Sequence, residues 1–411
     1  MSTGRAAAPR FALARLIGGH ICLHACMAGL RMAAPLLALK QGHSALAVGV
    51  LMALFSLMQI FLALPAGRYA DRHGLRRPIG WAVAAATAGT ALAALFPTFA
   101  LLCLAALLSG GATGAAAIAL QRHVGRAARD AAELKRMISW LSIGPATSNF
   151  LGPLAAGLLI DHAGVWLSGQ AGDLTGYRSA FLLMAALPLL AWWWVRRTPE
   201  QPTVAPPAEP GTRRAWDLLR EPMMRRLLLV NWFLSSCWDV HTFVLPVLGH
   251  ERGYSASTIG MLLGAFAIAA TLVRLAMPWL AEHLREWVVI SGAMLATGLV
   301  FAVYPFMPDA LAMGVCSVLL GLVLGSVQPM IMSTLHQITP ADRHGEALGL
   351  RLMSLNGSSV VMPLLFGSIG AVVGVSLLFW GVGAVVGAGS RLAWGLRAPA
   401  VDQAAGPPSS R

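Results

Sequence analysis

Twelve stretches of roughly twenty mainly apolar residues follow one another along this chain, and a helix needs ~20 such residues to cross the core of a bilayer. They run over 12–39, 45–66, 78–97, 99–121, 138–160, 178–195, 226–248, 257–280, 287–306, 310–332, 346–371 and 374–395. Composition agrees with a membrane solvent. Charged residues make up 11% of the chain, against about 25% in a soluble domain, too few to cover a water-facing surface of this length. The sequence therefore predicts an all-α membrane protein of twelve transmembrane helices. The first ten residues are polar and small, and the first apolar run is too long for the h-region of a signal peptide, so no cleavable leader is expected.

The net charge is +13, with 30 Lys and Arg. Only Lys40, Arg178 and Arg252 fall in loops on the side of Gly42 and Gly253, while Arg31, Arg274 and Arg351 fall inside predicted helices. The other 24 (30 less 6) lie at the termini or in loops on the opposite side. This is the positive-inside pattern. It predicts a multi-pass protein of the bacterial inner membrane with both termini cytoplasmic, and it argues against nucleic acid as a partner. The basic face suits the anionic lipid of the bilayer. Cys22, Cys26, Cys103, Cys237 and Cys316 all sit within apolar runs and read as small core residues, not as a disulfide framework.

Residues 196–225, RRTPEQPTVAPPAEPGTRRAWDLLREPMMR, break the apolar rhythm and are too polar to cross. They predict a cytoplasmic linker, whose later part, Ala215 to Arg226, has the apolar side of a short interfacial helix in Trp216, Leu218, Leu219 and Met223. The chain then divides into a six-helix bundle over 1–195, the linker over 196–225, a second six-helix bundle over 226–397, and a disordered tail over 398–411.

The two halves repeat each other. GHSALAVGVLMALFS from Gly42 and GYSASTIGMLLGAFA from Gly253 share six of fifteen positions at an offset of 211. At the same offset Pro35 falls on Pro246, Cys26 on Cys237 and Asp71 on Glu282. At 210, Pro153 falls on Pro363 and Gly157 on Gly367. Matches in helices one, two and five at nearly one offset indicate a duplicated unit. Two six-helix copies enter the membrane in one direction, and secondary transporters built this way bind substrate between the halves near the midplane.

Between helices two and three stands Gly67-Arg-Tyr-Ala-Asp71-Arg72-His-Gly74-Leu-Arg76-Arg77. It resembles the loop signature of the major facilitator superfamily, G-x-x-x-D-R-x-G-R-R/K, with the arginines shifted by one. Together with the 6+6 duplication, the resemblance covers essentially the whole chain. It implies an ion-pair network of Asp71, Arg72 and Arg76 that latches the two halves in one state of a transport cycle. Helix five reads Gly144-Pro-Ala-Thr-Ser148-Asn-Phe-Leu-Gly152-Pro153-Leu-Ala-Ala-Gly157. It resembles the antiporter signature G-x-x-x-G-P-x-x-G-G of drug-exporting branches, with Gly152, Pro153 and Gly157 as its hinge. The alternative is ordinary close packing of small residues. Two features depart from those exporters: Ala106 stands where many have an arginine, and helix one lacks an acidic residue.

Ionisable residues inside a membrane usually mark a pathway. Arg31 lies ~16 Å, and Asp239 ~21 Å, inside the Gly42 side at 1.5 Å per residue, close to a midplane ~15 Å deep. These positions predict that Arg31 and Asp239 face each other across a central cavity, with Asp239 as protonation site and Arg31 as its partner or as a contact for an anionic substrate. A static buried pair is the alternative. His241 is a candidate proton relay. His20 and His24 share a helix face, but Cys22 and Cys26 point elsewhere, so no metal site is expected. Arg274 is read as pairing with Glu282 or lining the cavity. Gln59, Asn149, Asn231, Gln328 and Asn356 are candidate substrate contacts or interhelical bonds. Trp238, with Trp232, Phe233 and Phe243, is a candidate aromatic wall for an organic substrate, or lipid-facing packing.

The expected protein is a monomeric secondary transporter that moves a small organic compound by alternating access, coupled to protons and running as efflux. The alternatives are uptake or exchange of an organic anion, a membrane sensor, and a passive pore. A sensor would carry a sizeable soluble domain, which the short loops do not provide. An enzyme, an ATP-driven pump and a cofactor are not expected, since no Ser/His/Asp set and no G-x-x-x-x-G-K-S/T loop occurs.

Overall fold

The computed structural model describes residues 10–127, 131–168, 174–200, 215–280, 284–340 and 343–397. Among them twelve helices are long and apolar enough to cross a membrane, and there is no strand. They are α1 (Arg10–Lys40), α2 (Ala45–His73), α3 (Arg76–Leu95), α4 (Phe99–Ala127), α5 (Ala131–Ser168), α6 (Leu174–Val195), α7 (Pro222–Glu251), α8 (Ala256–Leu280), α9 (Glu286–Val303), α10 (Ala310–Ile338), α11 (His344–Val373) and α12 (Val375–Trp394). The ends carrying Gly42 and Gly253 form the Gly42 face, and the opposite ends form the Asp71 face.

Several helices outrun their apolar stretches. Helix α2 continues from 66 to His73, and α5 spans Ala131–Ser168 where the sequence marked 138–160. Apolarity marks only the hydrocarbon slab, whereas the backbone continues its hydrogen bonds into the headgroup zone. The linker shows a related correction. Ala215–Arg220 forms a 3-10 turn, and α7 already begins at Pro222, because proline is pre-set for the first turn of a helix. Leu218 of that turn is buried and Trp216 is exposed. Residues 201–214 and the expected tail over 398–411 lie outside the described residues.

The sequence repeat is a repeat of structure. Helices α2 and α8 start at Ala45 and Ala256, and α4 and α10 cover Phe99–Ala127 and Ala310–Ile338, each pair 211 apart. The turns ahead of α2 and α8 both need a positive φ, +82° at Gly42 and +70° at Gly253, a region open to glycine at no steric cost. Packing repeats as well. A Cβ on Gly110 would strike the Phe55 carbonyl oxygen, and one on Gly321 would strike that of Phe266. Both pairs are related by the same offset, so small residues let α4 approach α2 as α10 approaches α8.

The first six helices meet the last six along two seams, α5 against α8 and α2 against α11. Both seams close on the Gly42 face. A Cβ on Gly157 would lie 2.5 Å from the Ala256 carbonyl oxygen, and one on Gly367 would lie 2.7 Å from that of Ala45. At the first seam the half-buried Asp161 of α5 also accepts hydrogen bonds from the backbone N–H groups of Ala256 (3.1 Å) and Ser257 (2.6 Å).

Candidate functional site

Asp239 sits in the middle of α7, 4% exposed. Its carboxylate faces α11. Ser358 Oγ donates to Oδ2 at 3.0 Å, and Ser359 Oγ donates to Oδ1 at 3.0 Å and to Oδ2 at 3.2 Å. Ser358 is itself 3.2 Å from Ser236 Oγ, which donates to the Trp232 carbonyl. A carboxylate held by hydroxyls keeps hydrogen bonds to its ionised form without a fixed counter-ion.

The expected Arg31–Asp239 pair is therefore corrected. Among the described residues neither takes part in an ion pair, although each charge lies within electrostatic reach of the other. Successive residues of a helix point ~100° apart. Trp238 and Thr242 line the cavity side of α7, and Asp239, about 100° from Trp238 and about 60° from Thr242, sits at the edge of that side with its carboxylate on α11. Arg31 projects into the cavity, its guanidinium carbon 5.9 Å from the Phe55 ring centre, and makes no hydrogen bond with the described residues.

The cavity has two chambers that share Trp238. The first, about 480 Å³ with its open mouth, is lined by Arg31, Asn149, Pro153, Trp238, Thr242 and Phe266 among others. The second, about 660 Å³ on the same measure, lies toward the Asp71 face and is lined by Asn231, Ser235, Trp238, Arg274, Gln328 and Leu355 among others. Of that space about 50 Å³ in the first chamber and about 210 Å³ in the second is void open to a water-sized sphere, so the second is the roomier of the two. Arg274 lies 5.4 Å from the Trp238 ring centre, and its Nε has no hydrogen-bond partner. Glu282, its other expected partner, lies outside the described residues. Arg351, 6% exposed, donates to Gln328 Oε1 and leaves its own Nε unpaired.

Other candidates fall away from the cavity. Gln59 packs against Gly114 and donates to the Phe55 carbonyl at 3.3 Å and weakly to Met27 Sδ, so it works between α1, α2 and α4. His241 is fully buried and stacks on Phe266 with ring centres 4.4 Å apart. Its Nε2 is 3.0 Å from Ser317 Oγ, which is 3.0 Å from Tyr304 Oη. Phe243 is buried core against α11, near Phe366. Among the described residues no three His, Cys, Asp or Glu side chains gather as a metal site.

The loop signature is assembled within the first six helices. Asp71 pairs with Arg122 and, at 2.8 Å, with Arg126, both on α4. Arg122 lies over Gly67, where a Cβ would stand 3.1 Å from its Nη2. Gly74 closes α2 with φ +75°. Arg76 donates from Nη2 to the Thr198 carbonyl (3.0 Å), and its backbone N–H donates to Glu200 Oε1 (2.8 Å). Arg72 is exposed and makes no polar contact with the described residues. Among the described residues the expected latch between halves is thus not engaged: Asp71 and Arg76 are tied to α4 and to the chain leaving α6. The helix-five signature faces two ways. Gly152 meets α1, where a Cβ would lie 2.7 Å from the Ala25 carbonyl oxygen, whereas Pro153 lines the first chamber and Gly157 meets α8.

Sequence reading missed Ser358, Ser359 and Asp161. The polar run Asn356-Gly-Ser-Ser359 in the middle of an apolar span was the available signal for the serines. Nothing local marks Asp161, because its partners are backbone groups 95 and 96 residues away.

The family model described as the Major Facilitator Superfamily matches residues 16–307 and 227–410. The chain is 25% identical over 336 residues to the tetracycline resistance protein, class B, of Escherichia coli, with 78% of each chain covered. It resembles the solved structure of a bacterial homologue of the human lysosomal transporter Spinster in its inward-facing and occupied conformation, with a TM-score of 0.78, 13% identity, and 96% and 97% of the two chains covered. It also resembles the nucleoside transporter NupG, with a TM-score of 0.73, 14% identity, and 94% and 99% covered. These structural likenesses concern the fold.

Proposed function

The chain belongs to the major facilitator superfamily of membrane transporters, and on that premise we propose that it exports a small organic compound by alternating access, in exchange for protons taken up at Asp239. The observation that carries this reading is Asp239 itself. It is a buried mid-span carboxylate with no ion-pair partner among the described residues, set beside the cavity and held by two hydroxyls. A charge there is costly in low dielectric, so a proton that neutralises it changes the energy of the whole site. Through space, the same charge also acts on Arg31 in the first chamber. Proton and substrate can then bias each other's binding.

The Gly42 face is external in this reading, with both termini cytoplasmic, and the protein works as a monomer in the inner membrane. The seams close the external face, and the second chamber extends toward the cytoplasm. Export is supported by the Gly152-Pro153 signature in α5 and by the likeness to tetracycline resistance proteins.

One observation favours a second reading. Among the described residues, Arg31 and Arg274 enter the cavity without a carboxylate partner. An organic anion would supply the counter-charge. Protonation of Asp239 would strengthen the field that attracts it, so anion and proton would travel together, inward.

The test is accumulation of dyes, antibiotics and organic acids in bacteria that lack their main efflux pumps and express this chain, with and without a protonophore. Export predicts lowered accumulation that the protonophore restores. Raised accumulation of an organic acid overturns export in favour of the second reading.

A further inference from the structure

The two seams on the Gly42 face are related by the repeat but are not equivalent. In the α2–α11 seam, Gly367 lies against the backbone at the start of α2, and the first turn of α2 is capped by its own Ser44, whose Oγ accepts from the Ala47 N–H at 3.3 Å. In the α5–α8 seam, Gly157 lies against the start of α8 in the same way, but a carboxylate from the other half is added. Asp161 holds the first two N–H groups of α8, one on each oxygen, at 3.1 and 2.6 Å. The position that the repeat pairs with Asp161 at an offset of 210 is Ala371, which has no side-chain acceptor.

We propose that Asp161 is the latch that holds the Gly42 face closed, and that this face opens by release of the α5–α8 seam from Asp161. The chemistry is specific. The first N–H groups of a helix have no intrahelical partner, and the helix dipole concentrates positive charge there. A carboxylate that accepts two such bonds makes a charge-assisted clamp. Its donors and its acceptor lie on opposite sides of the seam, so rocking of the halves must break both bonds together. Ser255, whose Oγ accepts from the Thr258 N–H at 3.2 Å, already satisfies a different donor of this turn, so Ala256 and Ser257 depend on Asp161. The inference concerns gating and goes beyond the transport reading, since it needs neither substrate nor proton.

The experiment is a distance measurement on the full chain in lipid nanodiscs, with spin labels at exposed Gly42-face positions of the two halves, Val165 on α5 and Leu311 on α10, and the native cysteines replaced. The closed face gives one short distance. Asp161→Ala is expected to add a longer distance and raise the open-to-closed ratio at least about tenfold, since even one of the two lost hydrogen bonds to the charged group is worth that much. Asp161→Asn keeps the shape and one acceptor, and is expected to give a smaller rise. Thermal unfolding of each variant reports folding. Distance distributions unchanged in both folded variants would overturn the latch. Proton-coupled transport is scored separately by the accumulation assay, so either idea can fail alone.

Discussion

Trp238 and Asp239 are consecutive residues that serve different spaces. The indole of Trp238 lines both chambers, while the carboxylate of Asp239 turns away from them onto Ser358 and Ser359 of α11. In the proposed reading, one helical step separates the surface offered to a substrate from the group offered to a proton. This allows the two to be perturbed independently.

Asp239→Asn should fold, because an amide can still accept from both serines. It should lose transport driven by a proton gradient while the chambers keep their shape. Everted membrane vesicles with an imposed gradient check this. Retained gradient-driven transport would remove Asp239 from the coupling mechanism.

Arg31→Gln should make the protein more stable and less active. An arginine at a helix centre costs ~3 kcal/mol, and among the described residues no carboxylate touches it. With part of that cost met by the polar chamber, a gain of about 1–2 kcal/mol is expected. Thermal unfolding in detergent, run beside the transport assay, separates the two effects. A loss of stability would show that Arg31 is held by packing.

Gly110→Val and Gly321→Val should fail alike. Each new side chain would meet a carbonyl oxygen, of Phe55 or of Phe266, and overpacking of this kind costs ~1–3 kcal/mol. Similar losses in melting temperature are expected from the two positions, 211 residues apart. A large loss at one and none at the other would break the structural repeat at this layer.

Arg126→Gln should barely alter stability. Its bond to Asp71 is partly solvent-exposed, with Arg126 at 24% and Asp71 at 14% side-chain exposure, and Arg122 also pairs with the same carboxylate. About 1 kcal/mol or less is expected. A transport rate that falls much further than stability would place this pair in the cycle and not merely in the fold.

The architecture was legible in the sequence because a bilayer imposes a length on every apolar run, and because the repeat keeps Gly42 and Gly253 where two turns need a positive φ. The site was legible only in part. Arg31, Trp238, Arg274 and Gln328 line the cavity, since polar or aromatic residues in an apolar span must find a wet or packed place. Direction around the helix was not legible. The Asp239 carboxylate accepts its hydrogen bonds from α11 and makes no ion pair with Arg31, and Gln59 faces α1 and α4, because a shift of ~100° per residue outruns any depth estimate. Asp161 was invisible for another reason: its partners are main-chain groups that carry no side-chain signature.

The glycine seams have a thermodynamic consequence. Where backbone meets backbone, as at Gly157 and Gly367, closure freezes few side-chain rotamers, and rotamer freezing is a principal cost of forming an ordinary packed interface. On the proposed cycle, the Gly42 face would therefore shut and reopen with little side-chain entropy lost or regained. With the entropy change small, the free energy of closing follows its enthalpy, and a few short-range contacts are enough to set it.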